Sequence, residues 1–319
     1  MTHEAAEPDA PPAAAPPAGP GEAAPRRPDF LIIGGAKCAT RWLCRGLTQH
    51  PGVYVPIDEV HQFSRHYNPR DPLPADYLAL FQDQDPNVLC GENSNTYFAH
   101  RLCPQRIASV LPGAKLMVCL RNPIDRAYSD YCMQVRYGLA DAEIERYLDP
   151  DFALTNTLLE TGLYHELLQR FLVHYPHDRL HVSIYDDMGD PTLFFSRIWR
   201  FLGVDDGFMP RGLDERVNTS GRAVVLPRLK RRLLASPMTR WLVDAVRHGG
   251  GRGVVEKLAG RSMRYEPLTD ALRGKLAEYY RDDTARLSEM LGRDLAGLWL
   301  ARGRAEDQAE AASGLRDDT

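Results

Sequence analysis

Phe30-Leu31-Ile32-Ile33 runs directly into Gly34-Gly35 and then into Ala36-Lys37-Cys38-Ala39-Thr40. A short, wholly apolar run of this kind suits a parallel strand covered on both faces, and so points to an α/β sheet. The paired glycines predict a tight turn, and helical spacing resumes from Thr40. A helix start exposes backbone N–H groups and the positive end of the helix dipole, which together collect anions. Lys37 adds a point charge and Thr40 a hydroxyl donor, so the turn predicts a site for a phosphorylated ligand. It departs from the loop of nucleoside triphosphatases, where a hydroxyl directly after the lysine holds Mg²⁺. Here Cys38 and Ala39 separate Lys37 from Thr40.

The same alternation continues along the chain. Apolar runs predict strands over 29–34, 88–91, 115–121 and 179–185, and helical spacing predicts helices over 40–49, 75–81, 104–110, 124–137, 163–175 and 192–202. Around 204–222 the pattern gives way to loop. Helical stretches follow at 227–235, 239–246 and 268–292, the last closed by Gly292 as a C-cap. The predicted class is α/β, with a central parallel sheet flanked by helices and a helical C-terminal segment. One domain is expected over 29–302, between a disordered Ala/Pro-rich tail (1–28) and a polar tail (303–319).

Composition narrows the partners. With 44% hydrophobic and 26% charged residues, the chain reads as an ordinary globular protein. Its net charge of −4 argues against nucleic acid as a partner. No apolar run is long enough for membrane insertion, and the first 28 residues lack the apolar core of a secretory signal. Six cysteines without a C-x-x-C pair suggest buried free thiols, a cytoplasmic location and no metal site. The basic run at 228–232 reads as a solvated helix face.

A second segment, Arg121-Asn122-Pro123-Ile124-Asp125-Arg126-Ala127-Tyr128-Ser129-Asp130-Tyr131, follows the strand predicted over 115–121. Arg121 falls at that strand's C-terminal end, where open α/β sheets bind ligands. Pro123 starts a helix that carries Ser129 about two turns on. An arginine and a hydroxyl so placed can grip a phosphate through charge-assisted hydrogen bonds.

Taken together, the G-x-x-K-x-x-T turn and the later R-N-P-x-x-R-A-Y-S-x-Y segment closely resemble the sulfotransferases that use 3′-phosphoadenosine-5′-phosphosulfate (PAPS). The resemblance is nearest to the carbohydrate, heparan-type branch and its bacterial relatives, and covers most of 29–300. It implies a P-loop-like domain, PAPS as donor, adenosine 3′,5′-bisphosphate (PAP) as product, no metal, and a carbohydrate, glycolipid or glycosylated small molecule as acceptor. The 5′-phosphosulfate loop would comprise Gly34, Gly35, Lys37, Cys38, Ala39, Thr40 and Arg41, with Lys37 also catalytic. Arg121 and Ser129 would take the 3′-phosphate, and Ser220-Gly221-Arg222 resembles a later loop that closes over the nucleotide.

The acceptor must also lose a proton, which requires a base. Asp58-Glu59-Val60-His61-Gln62-Phe63 resembles the family's K-E-x-x-F-F segment, whose glutamate is that base, so Glu59 is the candidate and His61 its competitor. Asp58 stands where a lysine is common. Asn93, in Gly91-Glu92-Asn93-Ser94-Asn95-Thr96-Tyr97, likewise replaces a lysine of the pattern G-E-K-[ST]-P-x-Y. Both changes make the acceptor side less cationic and point to an acceptor less anionic than heparan. Two other readings stay open: a small-metabolite kinase, and a PAP- or PAPS-binding module without turnover. Oligomeric state is not legible.

Overall fold

The computed structural model describes residues 25–153, 157–213 and 265–301. These fall into two compact units, one of 25–120 with 167–213, the other of 121–166 with 265–301. The helices predicted over 227–235 and 239–246, the two tails, and Ser220, Gly221 and Arg222 lie outside the described residues.

The first unit is built on β1 (Phe30–Gly34), whose five residues are all buried. It pairs in parallel with β3 (Leu89–Asn93) on one side and β4 (Lys115–Leu120) on the other. Outside these lie β2 (Val53–Tyr54) and β5 (Leu180–Ile184), giving a five-stranded parallel sheet in the order β2-β3-β1-β4-β5. The chain fills one side of β1 with β2 and β3 before β4 crosses to the other, so the strand order reverses at β1. Ligands of such sheets bind beyond the strand C-termini at this reversal, which is where the glycine turn lies.

Alternate residues of a strand face opposite sides of its sheet. Phe30, Ile32 and Met117 join a buried cluster with Trp42, Leu43 and Leu47 of α1 (Thr40–Leu47) and Phe194, Phe195, Ile198 and Trp199 of α8 (Pro191–Leu202). Gly46 lets α1 close onto α8, because a Cβ there would stand 2.0 Å from the Phe195 ring. Leu31, Ile33, Leu116 and Val118 are also fully buried. The near-continuous apolar runs thus belong to central strands, as expected. α2 (Ala75–Gln82) and α3 (Cys103–Val110) complete the helices before β4.

In the second unit, α4 (Pro123–Arg136) begins where Asn122 accepts a hydrogen bond from the Ile124 amide at 3.0 Å. Its Ile124, Ala127 and Tyr131 pack with Leu158 and Leu159 of α6 (Thr157–Glu160) and with Leu272, Leu276 and Tyr280 of α9 (Asp270–Leu291). α5 (Glu145–Leu148) contributes Leu148 to the same cluster. Gly292 caps α9 at φ 62°, as its position after the helical spacing predicted. α7 (Tyr164–Leu172) carries the chain back toward β5, and α10 (Leu295–Leu300) follows α9. Short elements were the ones not anticipated: two-residue β2, the four-residue α5 and α6 and the six-residue α10 are too brief to show a clear period. No helix of the described residues is long and apolar enough to cross a membrane.

Candidate active site

The glycine turn leaves β1 at Gly34, whose φ of 151° and close neighbours both require the missing side chain. A Cβ there would lie 2.9 Å from Phe98 Cβ and 3.1 Å from the Asn95 carbonyl oxygen. The Gly35 amide then donates to the Cys119 carbonyl at 2.9 Å, fastening the turn to the end of β4. Lys37 and Ala39 both adopt left-handed backbone, at φ 67° and 60°. For an L residue that conformation costs roughly 1 kcal/mol or more, and such strain concentrates where ligands are held. Ala39 is the N-cap of α1 yet offers no capping side chain, so that helix start is left to an anion or solvent. Thr40 is buried, Lys37 half-buried and Arg41 exposed.

Asn95 links this turn to the candidate base. Its side-chain amide donates to Glu59 Oε1 at 2.7 Å. The other carboxylate oxygen, Oε2, lies 3.2 Å from His61 Nε2, while His61 Nδ1 sits 2.9 Å from the Thr96 hydroxyl. That hydroxyl is in turn 2.7 Å from Ser64 Oγ. The two competing candidates are therefore partners. His61, like Lys37 and Ala39, has positive φ (57°), and these three are the only non-glycine residues so placed among those described.

Burial raises the Glu59 carboxyl above its ordinary range, against the pull of Arg41, Arg65 and the Asn93 amide. Burial, with Arg65 and His66, lowers His61. A neutral imidazole follows near pH 7, with Nε2–H donating to Glu59 and Nδ1 accepting from Thr96. The carboxylate so held has lone pairs left to receive a proton. The charge that a lysine at position 58 would supply comes instead from Arg41 and Arg65, while Asp58 is exposed. Asn93 is buried and turns its amide to the Glu59 carboxyl. The sequence had singled out this segment only for its missing lysine; the roles of Asn95, Thr96, Ser64 and Arg65 come from contacts across the fold.

In the second unit, Arg121 directly follows β4, and its carbonyl accepts from the Tyr164 hydroxyl at 2.8 Å. Asp125 of α4 pairs with Arg273 at 2.9 Å. Ser129 lies half-buried in the second turn of α4. Among the described residues no cluster of His, Cys, Asp and Glu could hold a metal ion.

The family model described as "Sulfotransferase domain" matches residues 27–219. Human heparan sulfate glucosamine 3-O-sulfotransferase 3B1 is 31% identical over 194 residues, which is 58% of this chain and 48% of that protein. The human 3-O-sulfotransferase 6 is 28% identical over 289 residues, covering 84% of this chain and 73% of its own length. The chain thus spans about half the length of several curated relatives it matches. A sulfotransferase structure from Alicyclobacillus acidocaldarius shares the fold with a TM-score of 0.60 and 24% identity, over 85% of this chain and 98% of that one.

Proposed function

Because the chain belongs to the sulfotransferase domain family, we propose that it transfers a sulfuryl group from PAPS to a hydroxyl or amine of a carbohydrate or glycosylated acceptor. Bound at the glycine turn, the donor supplies the sulfuryl group and leaves as PAP. The turn fits such a ligand: an uncapped helix start, two left-handed residues that leave it with backbone strain, and a lysine at its centre. Lys37 and the first amides of α1 would offset charge growing on the departing phosphate. Arg121 and Ser129 would take the 3′-phosphate. Glu59 receives the acceptor's proton as the acceptor oxygen or nitrogen bonds to sulfur and the sulfur–oxygen bond to the donor breaks. His61 and Asn95 keep that carboxylate aimed, and burial makes it a stronger base than a surface glutamate.

Relatives named for heparan sulfate direct the acceptor reading to carbohydrates. The exposed Asp58 and fully exposed Ile57 beside the base favour one less charged than heparan. We place the activity within 29–302 and, from six free thiols, in the cytoplasm.

The observation that carries this reading is the Glu59 carboxylate held between Asn95 and His61, with Asn95 also packed against the turn of Lys37. Transfer of labelled sulfate from PAPS to a panel of carbohydrate acceptors tests it. Glu59→Gln should lower kcat by on the order of a hundredfold or more, and Lys37→Ala by at least as much. Wild-type rates in either variant would overturn the role given to that residue.

A further inference from the structure

Beneath the loop that carries Glu59 and His61 lies a carboxyl that the proposed reaction does not use. Glu92, in β3, is fully buried, and neither of its oxygens meets a donor in hydrogen-bond geometry. Buried polar groups are nearly always satisfied, and a carboxyl kept without firm partners calls for a reason. The hydroxyls of Tyr77 on α2 and Tyr97 stand close enough to favour its charged form.

Those tyrosines are the seat of the loop. The Phe63 ring packs edge-on against Tyr77 and Tyr97, with centroids 6.1 and 5.5 Å away. The Phe63 amide donates to the Tyr97 hydroxyl at 3.2 Å, and its carbonyl accepts from Arg106 at 2.8 Å. Two residues earlier, the His61 amide donates to Ser94 Oγ at 2.8 Å. A tyrosyl oxygen that accepts from Phe63 must place its own proton elsewhere. The groups facing it are the Glu92 carboxylate and the Ser94 hydroxyl, of which the carboxylate is the stronger acceptor.

Resting on the reading of Glu59 as base, we infer that Glu92 is a positioning residue for the reaction. When ionised it draws the Tyr97 proton toward itself, which keeps the tyrosyl lone pairs on the Phe63 amide and the Glu59–His61 loop seated. When protonated it becomes a competing donor to Tyr97, and the seat loosens. The groups that face Glu92 are Tyr77 from α2, Tyr97, and Cys103 from the start of α3. Burial pushes all three upward, Cys103 to about 12, so none changes charge between pH 5 and 9. Glu92 itself is pushed up to about 7.

The test compares pH profiles of kcat in wild type, Glu92→Gln and Tyr97→Phe. Wild type should show an inflection near pH 7 that is absent from both variants. Their kcat should fall about tenfold with donor KM little changed. Glu59 and His61 titrate in every variant, so the difference between profiles isolates Glu92. An inflection that survives Glu92→Gln, or a full rate at pH 8, overturns the inference; a merely structural glutamate would lower stability and leave the profile's shape alone. Hydrogen exchange at the Phe63 amide, corrected for its intrinsic pH dependence, needs no turnover. Weaker protection at pH 6 than at pH 8 in wild type, and equal protection in Glu92→Gln, supports the seat; equal protection in wild type overturns it. A wild type without sulfate transfer that still shows this switch sinks the proposed activity and leaves the seat standing.

Discussion

At the scale of single residues, the proposed chemistry rests on a carboxylate whose surroundings favour its neutral form. Because burial raises Glu59, the anion proposed as base is lost as pH falls through a value above the ordinary carboxylate range. Activity should therefore drop on the acid side earlier than for a surface glutamate, and a kcat/KM profile reads this directly. His61→Asn tests the partnership: loss of the Nε2 donor should cost about tenfold in kcat, less than loss of Glu59 itself. Ala39→Gly addresses the strain. Glycine occupies φ near 60° without the Cβ clash, so the variant should gain up to about 1 kcal/mol against urea while still binding PAP. Lys37, Thr40, Glu59 and His61 were all singled out as candidates by local spacing and resemblance. The Glu59–His61 pairing was not, because it depends on a left-handed backbone at His61 and on Asn95 and Thr96, which lie over thirty residues further on.

At the scale of elements, strands and helices with a clear period were legible, and their ends shifted by only a few residues. β1 and β4 announce themselves as unbroken apolar runs, and α9 as helical spacing closed by Gly292. What the sequence could not show is how closely elements approach. Gly46 looks like a weak spot within a helix, yet it is the contact point of α1 with α8. Gly46→Ala should destabilise the protein by roughly 1–3 kcal/mol in chemical denaturation, since the Phe195 ring has to move. β3 carries a second consequence. Glu92 is raised from its ordinary 4.5 to about 7 by burial. Between those values the folded protein keeps a proton that the unfolded chain has already lost. Stability therefore declines as pH rises through that window and levels off above about 7. Glu92→Gln removes the charge, so it should be more stable than wild type at pH 8 by roughly 3 kcal/mol relative to its standing at pH 4. Urea midpoints at the two pH values measure it.

At the scale of the whole chain, the site follows from strand order. β1 lies between β3 and β4, and the turn after it falls where the order reverses. The segment after β3 runs beside that turn and brings Asn95 to both the turn and the Glu59 carboxylate. Sequence could supply the strands but not their order, since parallel neighbours are joined by long crossovers that leave no local mark. If the glycine turn and Arg121 serve one ligand class, the intact chain should be stabilised by PAP through mass action. At a hundredfold excess over Kd the gain is about 2.7 kcal/mol, which raises Tm by several degrees in a protein of this size. Lys37→Ala should remove most of that shift with every adenine nucleotide. Arg121→Ala should act selectively, bringing the shift from PAP down to that from adenosine 5′-phosphate, which has no 3′-phosphate to lose. Equal shifts from the two nucleotides in wild type would show that no residue of this chain reads the 3′-phosphate.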